Sequence, residues 1–294
     1  MELFEHSIMS GIRKAIREEL SVSSAVAESA NGILRLFKES FVGGKTRRTD
    51  RGYYVLHECT LTDRILGNST KIGFRIYNFK TQESYDRLKY EIDCDRANSM
   101  CNVNRKLCFI NVSVHAVENR IDYAQLHDSI QHEVEHIFQT LKGSRALTVP
   151  DDKYMSAVTN IYSENKGLKY IANAIYYSYD YEQDAFVNGL YGYLMDSESP
   201  IPQWSDITES DAYVAVEMLR KSIRVLTKNR QKLAERCMNV FGISIDDVIS
   251  NAVSAERRLL GKIGKVLIKV RNDKALNEGF RILASTDGRI RYFI

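Results

Sequence analysis

Residues Asp122 to Lys142 read DYAQLHDSIQHEVEHIFQTLK and contain His132-Glu133-Val134-Glu135-His136. Two histidines stand four apart, with a glutamate directly after the first. On a helix advancing about 100° per residue the two rings lie about 40° apart, so both reach one metal ion. With His132 set at zero, Leu126, Ile137, Ile130, Tyr123, Leu141, Val134 and Phe138 fall at roughly 120° to 240°, on the opposite side. One face is therefore expected on a core, and the other presents two imidazoles beside Glu133. Asp122 suits the N-cap and Gly143 the terminator. Solvated histidines also occur on helix surfaces for no chemical reason, so a metal site requires a further ligand.

Catalytic zinc takes three protein ligands and keeps a fourth position for water. No histidine follows His136, which excludes a three-histidine site of the metzincin type within this chain. Glu182 in Tyr181-Glu182-Gln183-Asp184-Ala185-Phe186-Val187-Asn188-Gly189 is the best candidate. On a helix Ala185 and Gly189 lie within about 60° of it, a small-residue face that lets another helix approach closely. Phe186 and Tyr193 flank the same direction. Asp184, the nearest rival, points about 160° away from Glu182. Tyr176, Tyr177, Tyr179, Tyr181 and Tyr193 are all available to stabilise a developing oxyanion. The residues do not choose among them, and aromatic core packing accounts for each equally well. His127, Asp128 and Glu135 are considered as partners fixing the imidazoles. Helical angle favours none of them, and Glu135 is expected in solvent.

An H-E-x-x-H followed by a helical Glu with Ala three residues on resembles the glutamate zincins, or gluzincins. The E-x-x-A form is similar to the ImmA/IrrE-like metallopeptidases and other short zincins of mobile elements. The tyrosine-rich run before Glu182 also resembles uncharacterised zincin-like proteins of Bacteroides-type bacteria and their phages. The likeness covers about residues 107–196 and implies Zn2+ held by His132, His136 and Glu182. It makes Glu133 the catalytic glutamate of a peptide-bond hydrolase. The helical hairpin between the two motifs is long for the ImmA-like group, and the regions at either end of the chain are unlike it.

The implied fold class is α+β. A mixed β-sheet packs on the metal helix beside a helical subdomain, with N-terminal helices and a C-terminal helical extension ending in a β-hairpin. Residues 5–20 and about 24–40 read as amphipathic helices. Strands are expected at Tyr53–Leu61, Lys71–Phe79, Leu88–Asp93 and Leu107–His115. Gly43-Gly44-Lys45-Thr46-Arg47-Arg48 lacks the first glycine of a phosphate loop, since position 39 is Glu39, and reads as a basic connecting loop. After the metal helix come a loop with Pro150, a helix over about 151–164 and further helices from about 167 to Asp196. Pro200 and Pro202, two of three prolines, mark a boundary near 198–205. Long helices follow at Asp206–Val240 and Ser244–Lys274, then a hairpin of Phe280–Ser285, an Asp287-Gly288 turn and Arg289–Ile294. The domains so drawn are an N-terminal helical segment 1–42, a metallopeptidase core 43–198 and a basic region 205–294.

Composition narrows the setting. The 294 residues are 44% hydrophobic and 27% charged, as in ordinary globular chains, and no apolar run is long enough to span a membrane. The N-terminus is acidic where a signal peptide is basic, so a cytoplasmic protein is expected, virion-associated if phage-encoded. Cys59, Cys94, Cys101, Cys108 and Cys237 form no C-x-x-C pair and read as free thiols of a reducing compartment. The net charge of +3 hides an asymmetry: residues 215–294 hold 17 Lys/Arg against 8 Asp/Glu.

The leading function is hydrolysis of a protein or peptide by a zinc-activated water. The alternative is a zincin-fold structural or regulatory binding protein with little turnover, contacting partners through its N-terminal helices or basic C-terminal third. Nucleic-acid binding through 257–274 is less favoured, because alternating basic and aliphatic residues there fit a helix with one wet and one buried face.

Overall fold

The computed structural model describes residues 24–40, 45–48, 54–92, 94–102, 105–142 and 152–286. The expected helix over 5–20, the Gly143 terminator, the Pro150 loop and the strand Arg289–Ile294 lie outside them. The architecture is mixed α+β, with a helix before a central sheet and a helical assembly after it. Two compact units emerge: one takes the chain to Arg120 with Glu133–Phe138, the other Ile121–His132 and everything from Gln139.

In the first unit, residues 24–40 form α1, whose Val26, Ala30, Ile33, Leu34 and Phe37 recur at helical spacing and are buried. Six strands make one sheet: β1 (Lys45–Arg48), β2 (Tyr54–Ile65), β3 (Asn68–Phe79), β4 (Arg96–Asn102), β5 (Leu107–Val117) and β6 (Arg120–Ile121). The spatial order is β1-β2-β3-β5-β4, with β6 beside β5. Strands β3 and β5 run parallel, and the crossover between them carries α2 (Gln82–Ile92) and β4. Ile72, Phe74 and Ile76 on β3 and Ile110, Val112 and Val114 on β5 alternate into the core, and the Phe37 ring of α1 lies 4.6 Å from that of Phe74. The β2–β3 hairpin turns on Leu66 and Gly67, both at positive φ, as a two-residue turn between right-twisted strands requires.

Three expectations for this unit need correction, and one strand carried no expectation. Lys45–Arg48 is a strand paired with Val55–Glu58, not a loop. Leu88–Ile92 belongs to helix α2, because Leu88 closes a small cluster with Phe79 while polar residues face out around it. Strand β4 is polar and gave no strand signal. Finally, Cys101 and Cys108 are not free thiols: they stand opposite each other in the β4–β5 ladder, Cα atoms 4.0 Å apart, and form a disulfide. Cys59, Cys94 and Cys237 are outside any disulfide.

The helix carrying His132 and His136 is α3 (Tyr123–Leu141), and its first turn is capped by Asp122, whose Oδ1 accepts from the Gln125 amide at 3.0 Å. The second unit continues with α4 (Asp152–Asn160), α5 (Lys166–Tyr176), α6 (Asp180–Asp196), α7 (Asp211–Lys228), α8 (Arg230–Phe241) and α9 (Ile245–Thr286). The expected single helix over Asp206–Val240 is two, broken at Asn229, and Phe280–Ser285 is helical within α9 rather than a strand. Apolar residues of α5 to α9, from Ile171 through Leu219 to Val270, form one core. Much of the basic face of α9 is tied down: Lys262 pairs with Asp184 at 2.7 Å, Arg258 with Asp180 at 3.1 Å, and Arg271 and Lys274 donate to carbonyls of Pro202, Ser197 and Ser199. No described helix is long and apolar enough to cross a membrane.

Helix α6 meets α3 through glycines. A Cβ on Gly189 would lie 2.1 Å from Oδ1 and 2.9 Å from the carbonyl oxygen of Asp128, and one on Gly192 would lie 2.7 Å from Gln131 Oε1. Both contacts are too short for a real Cβ, and at Gly189 the Asp128 backbone carbonyl cannot swing aside as the Gln131 side chain at Gly192 could. Gly189→Ala is therefore expected to destabilise the chain by about 1–3 kcal/mol, read as a lower urea midpoint at unchanged m-value.

Candidate metal centre

Three side chains converge where α6 approaches α3. Donor atoms of His132, His136 and Glu182 all lie within 4.8 Å of one another, and His132 Nε2 is 3.8 Å from Glu182 Oε2. Ligands of one tetrahedral zinc, each about 2.1 Å from the ion, stand about 3.4 Å apart, so the His132–Glu182 pair is within about 0.4 Å of that spacing. The two histidines are one turn apart on α3. Glu182 enters from the first turn of α6, directed there by the glycine contact further along that helix.

Glu182 is only 2% exposed, and a carboxylate taken out of water at such a place needs compensation. Two phenols provide it. Tyr154 donates to Oε1 and Tyr176 to Oε2, each at 2.8 Å. The arrangement fixes the carboxylate's orientation while leaving further lone pairs for a metal. Tyr154, on α4, escaped sequence reasoning altogether. It sits 28 residues before Glu182, and nothing in its local pattern marks it. Burial and the adjacent carboxylate both push the Tyr176 phenol well above its ordinary range.

The remaining tyrosines fall into place around these. Tyr154 packs against Tyr176, Tyr179 and Tyr181 with ring centroids 5.8, 5.1 and 5.3 Å away. Burial raises the phenols of Tyr177 and Tyr181, and Tyr193 is pushed up to about 12 by burial and then by neighbouring carboxylates. Phe186 does wall the site, its ring 4.8 Å from that of His132. Asp184 is turned away onto Lys262, as helical geometry requires.

The polar face of α3 is buried rather than wet. Glu133 is 5% exposed, and Glu135, expected in solvent, is 4% exposed. His127 Nδ1 shares a hydrogen bond with Asp196 Oδ2 at 3.1 Å. Asp128 accepts from the Asp211 amide at 3.1 Å, and its carboxyl is held well above the usual carboxylate range, first by burial and then by the Asp211 charge. Spacing gave no reason to favour either; their partners come from distant sequence. Gln139 Nε2 donates to the Tyr181 carbonyl at 3.0 Å, a further tie between α3 and the start of α6.

No protein-family model matches the chain, and no curated protein or solved structure is matched by it. The geometry establishes a His/His/Glu cluster capable of holding a metal ion.

Two outcomes follow from this geometry. Tyr154→Phe and Tyr176→Phe each remove one donor from Glu182 and are expected to weaken zinc binding by about 10–100-fold, measured by competition with a chromophoric chelator. Asp128, with a folded pKa raised above its ordinary 3.8, binds its proton more tightly in the native state. Its contribution is fully present below that value and is lost as pH rises through the folded pKa. Denaturant titrations across pH should show that decline in the wild type and a flatter profile in Asp128→Asn.

Proposed function

We propose that this chain is a zinc-dependent peptidase of the gluzincin type, in which His132, His136 and Glu182 hold the ion and Glu133 handles the proton. The observation that carries the reading is the convergence of three donors of the right chemistry within 4.8 Å, two imidazoles and one carboxylate. Zinc bound by three such ligands supplies a Lewis acid and a water acidified toward neutral pH. Everything else falls to the chain's own side chains. On this reading Glu133, which directly follows His132 and is shielded from bulk solvent, accepts a proton from the attacking water. The same carboxyl then returns that proton to the departing amine.

Tyr176 is committed to Glu182 and Tyr181 is hydrogen-bonded to Tyr154, so Tyr177, Tyr179 and Tyr193 are the candidates we retain for the oxyanion donor. A phenol whose pKa is pushed up to about 12, as for Tyr193, remains protonated at neutral pH and keeps its hydrogen to donate. The substrate class is protein or peptide. The alternative, a regulatory or structural zinc protein of a phage or mobile element, keeps the same ion and dispenses with turnover.

The two separate on Glu133. Glu133→Gln is expected to retain one equivalent of zinc while cleavage of an unstructured protein falls by about 10²–10⁴-fold. His136→Ala is expected to lose both zinc and cleavage. Zinc content equal in wild type and His136→Ala would sink the site. A zinc-loaded wild type that cleaves nothing in a broad peptide library would transfer the case to the binding protein.

A further inference from the structure

A second group of ligand-type side chains lies in the sheet unit. Cys94 and Asp95 occupy the junction between α2 and β4, and His115 stands on β5. One donor atom from each lies within 4.8 Å of the others. The His115 ring is held on two sides. Its Nδ1 shares a 2.6 Å hydrogen bond with Asp95 Oδ1, and the Tyr85 ring stacks on it with centroids 4.0 Å apart and planes 21° apart. Tyr85 in turn donates to Asp95 Oδ2 at 3.2 Å. Cys94 is buried beside Phe79 and Leu88.

From this arrangement we propose that Cys94, Asp95 and His115 form a second metal site, for zinc or a similarly thiophilic divalent ion, which clips the α2–β4 junction to β5. A buried thiol against Phe79 and Leu88 is also what an ordinary core cysteine looks like. An ordinary core cysteine does not require a carboxylate and an imidazole within ligand distance, and Tyr85 orients both of those groups. The donor set of one sulfur, one nitrogen and one oxygen suits zinc and disfavours magnesium or calcium, which take oxygen alone.

Binding asks little of the geometry. Zinc ligands stand about 3.4 Å apart, so the His115–Asp95 pair has to open by under about 1 Å. Cys94 must give up its thiol proton to solvent as the sulfur–metal bond forms, so affinity falls as pH falls. Cys94 is almost fully buried while His115 and Asp95 are partly exposed, so solvent reaches the site from the side opposite the sulfur. That geometry fits a structural clip better than a nucleophile, since a substrate could not reach the sulfur.

Sulfur makes the site separable from the His132 centre, which has none. Cobalt(II) titration of the full-length His136→Ala chain is expected to show one equivalent bound, with the near-ultraviolet band of thiolate-to-cobalt charge transfer. That band should vanish in His136→Ala/Cys94→Ser and in His136→Ala/His115→Gln at unchanged far-ultraviolet dichroism. Absence of the band in the His136→Ala chain overturns the proposal, as does its survival when Cys94 is replaced. Should the Cys94→Ser chain fail to fold, His115→Gln decides: an undiminished band there overturns the site, and its loss supports it.

Discussion

How near α6 comes to α3 governs the rest of the helical unit. Gly189 and Gly192 place peptide backbone where side chains would otherwise hold the helices apart. At that separation the first turn of α6 brings a carboxylate to His132, and Gln139 reaches the Tyr181 carbonyl. Widen the separation by one methyl group and both contacts lengthen together, because a helix moves as a rigid element. The small residues are thus positioning devices for Glu182, seven and ten positions away.

Such proximity has an electrostatic cost. His127, Asp128, Gln131, His132, Glu133, Glu135 and Gln139 are all buried along a single helix. Burying so many polar groups is unfavourable unless each finds a partner, and the described partners come from across the second unit: Asp196, the Asp211 amide, the Tyr181 carbonyl. Glu182 is the extreme case, with two tyrosines donating to its two oxygens. The same helix also buries Leu126, Ile130, Val134, Ile137 and Phe138, so apolar packing and directional bonds hold it together.

The convergence of His132, His136 and Glu182 was legible because each announces itself locally. His132 and His136 share a face by arithmetic, and the Ala185/Gly189 stripe marks a close-packed helix around a carboxylate. Tyr154 was illegible for the opposite reason, since its role lies entirely in a hydroxyl contact with a residue on another helix. Strand β4 (RANSMCN) was missed because it lies at the edge of the sheet, its less exposed positions Ala97, Ser99 and Cys101 are small, and its one large apolar residue, Met100, faces out. Leu88–Ile92 was misassigned because a short apolar run looks alike in strand and helix, and only the tertiary setting against Phe79 decides. Evenly spaced cysteines said nothing about pairing until the ladder register set Cys101 opposite Cys108.

That cross-strand link has a consequence for how β4 finds its place. A hydrophobic strand is locked by its pattern, since slipping one residue turns the apolar set outward; a polar edge strand has no such preference and can dock at several offsets of similar energy. The covalent tie between Cys101 and Cys108 removes that degeneracy. A slip of two residues would carry the start of β4, and Asp95 just before it, roughly 7 Å along the sheet from His115. The bond therefore acts as an alignment pin, choosing among near-equivalent sheets the one in which Asp95 and His115 meet.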